Sequence, residues 1–246
     1  MKKVFKLTLF CLMILSLLGC AKEDPIDPKE AFFAASEKTN ALEKQSINMD
    51  VMVESMGMSI SMPINSKAIQ KDGKVQSMSI DMNAMGSVQI MTFVDGYMYM
   101  NVDGTTVKCA MSIDDFMDLN GGTADYSVEN DAIESVEFGD ADENGNQTCM
   151  ITINKDAMNE MATTMGLVEE GQSVEYTNFT YTAVIDKNGY LSKVKIDMEM
   201  KITIQGITVD AKAIIDTTYN LDDDFEITVP EDADLYTEYN LEDLQA

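Results

Sequence analysis

From Ile47 to Ile215 the chain is written largely in period two. Met58, Ile60, Met62 and Ile64 alternate with Ser59, Ser61 and Asn65, and Met78, Ile80 and Met82 alternate with Ser77, Ser79 and Asp81. Near the end Val194, Ile196, Met198, Met200, Ile202 and Ile204 alternate with Lys193, Lys195, Asp197, Glu199 and Lys201. Past Gly206 the pattern returns in Ile207, Val209, Ala211, Ala213 and Ile215. Alternation of this kind puts the apolar set on one face of a β-strand. Turn signals at Gly57, Lys71-Asp72-Gly73, Met85-Gly86, Asp95-Gly96 and Asp103-Gly104 separate the runs, so successive hairpins and an antiparallel meander are predicted. A strand of ten or more residues spans roughly 33 Å. A sheet of that length with one oily face must have that face covered.

Helices are available for the task. Asp27-Pro28-Lys29-Glu30 has the residues of a helix start, an acceptor at the cap followed by Pro at the first helical position. Phe32, Ala35, Thr39 and Leu42 recur at helical spacing, which predicts one amphipathic helix over residues 28–44. Ser112-Ile113-Asp114-Asp115 opens a second, short helix carrying Phe116 and Leu119 and ending near Asn120-Gly121. Lys155 to Met165 presents Met158, Met161 and Met165 on one face, with Gly166 as a stop, and predicts a third. Three short helices do not enclose a strongly curved sheet. An apolar cavity is the expected remainder.

Residues 1–19 read apart from the rest. Lys2, Lys3 and Lys6 precede the apolar run LTLFCLMILSLL, which is too short to span a bilayer and fits a secretory signal. Leu17-Leu18-Gly19-Cys20 resembles the lipobox of bacterial lipoproteins; the resemblance implies cleavage before Cys20 and lipid (palmitate among its acyl chains) on that residue. An ordinary signal peptide with an incidental cysteine is the other reading. Two or three acyl chains, at ~0.8 kcal/mol per buried methylene, hold a protein on a membrane essentially permanently. The expected organisation is a signal peptide (1–19), a tether (20–27) and a single domain (28–246). The expected location is the extracytoplasmic face of the cell membrane, with the protein lipid-anchored and monomeric.

Charge and composition exclude several functions. The chain has 17 lysines, no Arg and no His against 43 acidic residues, a formal charge of −26. Loss of Lys2, Lys3 and Lys6 with the signal leaves −29. Without His there is no Ser/His/Asp or Cys/His nucleophilic site and no His-ligated zinc. The net charge repels nucleic acid. With 43 acids no carboxylate pair can be singled out for hydrolytic chemistry, so no enzyme activity, catalytic residue or cofactor is assigned.

The lipobox, leading helix, meander with Phe93-Val94-Asp95-Gly96-Tyr97-Met98-Tyr99, mid-chain helical segment and closing strands around Ile185-Asp186-Lys187-Asn188-Gly189-Tyr190-Leu191 together resemble the LolA/LppX-type lipoproteins. The resemblance spans most of residues 28–230 and is nearer to the Met-rich acidic lipoproteins of that fold than to the LolA chaperone. It implies an α+β, mainly antiparallel β protein: a long-stranded meander forming an open half-barrel, with about three helices on the concave side and lipid or lipoprotein acyl chains held within. Cys20 lipidation is the one residue-level property that carries over. LolA itself is soluble and unanchored, so shuttling between membranes does not follow.

Methionine stands where leucine is usual: setting aside residues 1–19, with Met1 and Met13, leaves 19 Met against 8 Leu. Its flexible thioether suits a surface that accepts varied apolar ligands; filling of a conventional core is the alternative. The candidate cavity lining is Met58, Ile60, Met62, Met78, Ile80, Met82, Val194, Ile196, Met198, Met200, Ile202 and Ile204. A weaker alternative is Cu(I), a soft ion, at the Met-x-Met pairs Met56/Met58, Met98/Met100 and Met198/Met200.

Cys109 and Cys149 lie on predicted strands of an exported chain, so a cross-strand disulfide and two buried free thiols are both open. Asp140, Asp142, Asn144 and Gly145 match the opening of an EF-hand loop, but Ile151 occupies the position of its bidentate Glu, which favours a hairpin turn. The leading expectation is a binding protein for a hydrophobic small molecule or lipid. The alternative is a structural or signalling lipoprotein whose sheet is filled by its own side chains.

Overall fold

The structure is a computed structural model describing residues 26–119, 132–154, 158, 172–204 and 206–240. The alternating runs become β1 (Lys44–Ser55), β2 (Met58–Lys71), β3 (Lys74–Ala84), β4 (Ser87–Val94), β5 (Tyr97–Val102) and β6 (Thr105–Ala110). They are followed by β7 (Ile133–Ala141), β8 (Gln147–Ile153), β9 (Gln172–Ile185), β10 (Leu191–Ile204), β11 (Ile207–Tyr219) and β12 (Thr237–Tyr239). All belong to one 12-stranded sheet in the order β12-β6-β5-β4-β3-β2-β1-β11-β10-β9-β8-β7. Two meanders, β1–β6 and β7–β11, are thus spliced by the antiparallel pairing of β1 with β11. The edges β12 and β7 do not meet, so the sheet is open.

Turn chemistry fixes the hairpins. Asp72-Gly73, Asp95-Gly96 and Asp103-Gly104 hold both residues at positive φ, the geometry whose twist matches that of the flanking strands. Met56-Gly57 and Met85-Gly86 adopt the same conformation, with φ of 53° and 55° at the methionines. Asp visits this region readily, whereas for Met it costs roughly 1 kcal/mol or more.

Two α-helices are described, α1 (Pro28–Asn40) and α2 (Ile113–Leu119). In α1 the Asp27 carboxylate accepts from the backbone N–H groups of Lys29 and Glu30 at 2.8 and 3.1 Å. The helix ends at Asn40 instead of continuing to 44, because the Gln45 and Gln70 side chains donate to the Asn40 carbonyl and Lys44 already begins β1. Ser112 and Asp115 form the expected cap of α2: the Asp115 N–H donates to Ser112 Oγ, and the Ser112 N–H donates to Asp115 Oδ2, both at 3.0 Å. The third expected helix, 155–165, lies outside the described residues except for Met158, which is helical and buried. About three helices were expected; the described residues contain two.

Both helices sit on the apolar face but at different places. Phe32 and Ala35 of α1 pack with Ile133, Val136, Cys149, Ile151, Tyr181, Ala183, Leu191 and Val194. Phe116 and Ile113 of α2 pack against the cluster of Phe93, Met98, Cys109 and Met111, with the Phe93 and Phe116 rings 4.9 Å apart. Thr39, 2% exposed, fastens α1 to the sheet: its hydroxyl donates to the Ala35 carbonyl and accepts the Leu191 N–H, both at 2.8 Å.

A strap, residues 220–236, crosses the opposite face. Register partners Ser46, Lys67, Ser79, Thr92, Tyr99 and Lys108 form one row across β1 to β6 on that face. The strap touches this row repeatedly. Ser46 Oγ donates to Asp223 at 2.6 Å, Lys67 lies over the Phe225 ring, and Tyr236 meets Tyr99 edge-on at 5.7 Å. Lys44 pairs with Asp224, and β12 then adds in parallel to β6, covering that edge.

Thr39→Val keeps the shape but leaves the Leu191 N–H without its buried acceptor. The expected loss is about 1–3 kcal/mol, read by chemical denaturation; an unchanged midpoint would show that α1 docks without this bond.

Candidate apolar binding face

The register puts every candidate lining residue on the face that carries the helices. One row across the sheet is Phe179, Met198, Ala213, Val53 and Ile60; the next is Tyr181, Ile196, Ile215, Val51 and Met62. A third runs through Val194, Thr217, Met49, Ile64 and Met82. Val194 and Ile196 lie under or against the α1 cluster, and Met78 packs on the α2 cluster. Met58, Ile60, Met62, Ile80, Met82, Met198, Met200, Ile202 and Ile204 belong to neither. Met58, Ile60 and Ile204 are 67%, 38% and 44% exposed, and the others are half-buried.

The two helices therefore leave an apolar strip between them, centred on β10, β11, β1 and β2. Sequence reasoning did not nominate Met49, Val51 and Val53, although β1 is the middle of the strip. The cause is Met52, an apolar residue on the other face, which makes β1 read as a continuous run and hides its alternation. At one end of the strip a depression of ≈ 590 Å³ is lined by Met56, Met58, Met200 and Ala211 together with Glu54, Glu199, Asp210 and Lys212. It is open to solvent and mixed in polarity, whereas an apolar cavity was expected.

Met56, Met58 and Met200 share the depression, while the third Met-x-Met pair, Met98/Met100, lies apart from it. Met98 is buried in the α2 cluster, Met198 and Met200 lie on β10, and Met56 is in the β1–β2 turn. No group of three or more Cys, Asp or Glu side chains able to hold a metal occurs among the described residues. The EF-hand-like segment is a turn. Asp142 Oδ1 accepts the N–H groups of Asn144 and Asn146 at 2.8 and 2.9 Å. These bonds hold its carboxyl below the usual range, the Asn146 backbone bond most. The turn at Asp186 repeats the arrangement, with Asn188 and Tyr190 donating at 2.8 and 2.9 Å.

The cross-strand disulfide is not formed: Cys109 and Cys149 are free and buried. Cys109 on β6 and Cys149 on β8 have β5, β4, β3, β2, β1, β11, β10 and β9 between them, roughly 40 Å along the sheet at ~4.8 Å per strand. A disulfide needs Cα atoms within about 7 Å. Burial raises the pKa of both thiols, that of Cys149 from 9.0 to about 11.

No family model matches the chain, and no curated protein matches it. Its neighbours among solved structures include a LolA superfamily protein from Nitrosomonas europaea, a DUF1329 family protein from Desulfovibrio piger and a Vibrio parahaemolyticus domain ascribed to outer membrane lipoprotein sorting. The first is 10% identical, covering 83% of this chain and 99% of that one with a TM-score of 0.34. The second is 12% identical, with 80% and 95% covered and a TM-score of 0.27. The third is 8% identical, with 80% and 94% covered and a TM-score of 0.27. At these identities and TM-scores the likenesses carry no argument, and the functional reading rests on the chain's own face.

The thiols make a pH-dependent expectation. Above pH 9.0 the unfolded chain gives up the Cys149 proton while the folded protein keeps it up to about pH 11. Stability is therefore lost as pH rises through that window. Cys149→Ala should lessen this alkaline decline in denaturation midpoints. Alkylation should label neither thiol until the protein unfolds, and rapid labelling of the native protein would contradict the burial.

Proposed function

We propose that the protein is a membrane-anchored, extracytoplasmic lipoprotein that holds a hydrophobic ligand, a lipid or acyl chain, against the uncovered strip. The observation that carries this reading is the set Ile60, Met62, Ile80, Met82, Met198, Met200 and Ile202, aligned on one face yet outside both helix clusters. Covering such a strip removes apolar area from water at ~25 cal/mol per Å², so an acyl chain lying along it gains affinity without any polar contact. Methionine suits contents of variable shape. The anchor is inferred from Leu17-Leu18-Gly19-Cys20; no described helix is long and apolar enough to cross a membrane. The role assigned is binding, with no catalytic step.

Native mass spectrometry of protein extracted from its own membrane should show co-purifying lipid, and a fluorescent fatty acid should bind. Replacing both Met198 and Met200 by Asp places two charges against the ligand. Binding should weaken about tenfold or more, as expected for ~1.4 kcal/mol of lost apolar contact, while the circular-dichroism spectrum is retained. A protein that comes out empty and ignores the fatty acid would instead be a tethered scaffold.

A further inference from the structure

The two ends of the sheet differ in turn chemistry. At one end the turns are Asp72-Gly73, Asp95-Gly96, Asp142 to Gly145 and Asp186 to Gly189, and every one begins with an acid. The hairpins β1–β2, β3–β4, β5–β6 and β10–β11 turn at the other end, since neighbouring strands are antiparallel. Their tips carry Met56, Met85, Asp103 and the pair Ile204 and Ile207. Met56, Met85 and Ile207 are 75%, 83% and 70% exposed.

Met56 and Met85 hold a left-handed backbone in which Asp is used at Asp72, Asp95 and Asp103. The chain thus puts an oily residue where a turn prefers a polar one, and leaves it in water. Neither folding of the turn nor core packing accounts for that choice. Two of the four tips share it, a third is flanked by the exposed strand ends Ile204 and Ile207, and the depression lined by Met56, Met58 and Met200 opens at the same end.

We infer that this crown of Met56, Met85, Ile204 and Ile207 is a contact surface for an electrically neutral lipid bilayer. It rests on the proposed reading of an anchored lipid-binding protein and adds the end by which ligand enters. Exposed apolar tips enter the interfacial layer of a bilayer, as amphipathic anchors do. The nearby Glu54, Glu199 and Asp210 outnumber Lys212, which disfavours an anionic surface. The lipid on Cys20 keeps the protein beside a bilayer, and the crown presents the apolar strip to it end-on.

The test uses the full chain, processed by its host and reconstituted in phosphatidylcholine vesicles. Native Cys109 and Cys149 are buried, so a cysteine introduced by Ile207→Cys takes an environment-sensitive fluorophore selectively; Asp95→Cys at the opposite end is the control. The label at 207 should shift to shorter wavelength and be quenched by spin-labelled lipid, with neither effect at 95. Adding Met56→Asp and Met85→Asp should abolish the shift while leaving the thermal midpoint unchanged or raised, since Asp suits both turns. Water-like emission at 207 in the bilayer overturns the proposal. So does a shift that survives both Asp substitutions, or one that requires envelope extract, which would make a protein the partner. Intact mass reports the lipid on Cys20, and fatty-acid binding reports the strip, in the same samples. Failure of either with the 207 shift intact overturns the carrier reading and leaves the crown; failure of the shift alone removes only the crown.

Discussion

The pairing of β1 with β11 governs the molecule. Each meander alone is a local ladder of hairpins with half a face to bury. Joined through nine register pairs from Ile47↔Tyr219 to Ser55↔Ala211, they become one sheet whose apolar sides are continuous. Val51 stands between Ile215 and Met62, and Val53 between Ala213 and Ile60. The splice therefore sets the width of the oily face at more than either described helix covers. α1 packs on β7 to β10, and α2 on β3 to β6. The strip left between them is a consequence of where the splice falls relative to the helices.

The opposite face shows how the same sheet handles polar residues. Its row from Ser46 to Lys108 is crossed by the strap, which satisfies Ser46 through Asp223 and Asn220 and buries Phe225 between lysines. The strap ends by pairing β12 in parallel with β6, so an edge that would invite another chain is occupied by the protein's own C-terminal segment. Chain length was thus spent on the polar face and one edge, while the apolar strip received none of it among the described residues.

Much of this was legible in the sequence because hairpins are local. Period two and the Asp-Gly and Met-Gly pairs placed β2 to β6, β10 and β11, and Asp27-Pro28 placed the start of α1. What was not legible was non-local. The order in which β11 meets β1 depends on pairing across 160 residues or so of chain, and no local pattern states it; hence Met49, Val51 and Val53 were missed as members of the strip. The thiols show the same limit: for two cysteines on strands of a chain expected to be exported, a bridge and two free thiols were both open, and only the sheet order separates them by eight strands. The end of α1 was overestimated because Leu42 continues the helical spacing, while the side chains that close the helix, Gln45 and Gln70, come from the strands beyond it.

An open apolar strip is ordinarily an aggregation hazard, and the charge of this chain answers it selectively. A net charge of −26 makes copies repel one another over about a Debye length, ~8 Å at physiological salt, which opposes the meeting of two strips. A neutral acyl chain feels no such repulsion. On the proposed reading the acids act as a filter at the strip: they oppose the approach of a second copy and of anionic surfaces, and leave uncharged apolar molecules as the occupants least opposed. On this view the acidity and the methionines are parts of one device, the first choosing which bodies approach and the second adapting to the shape of what arrives.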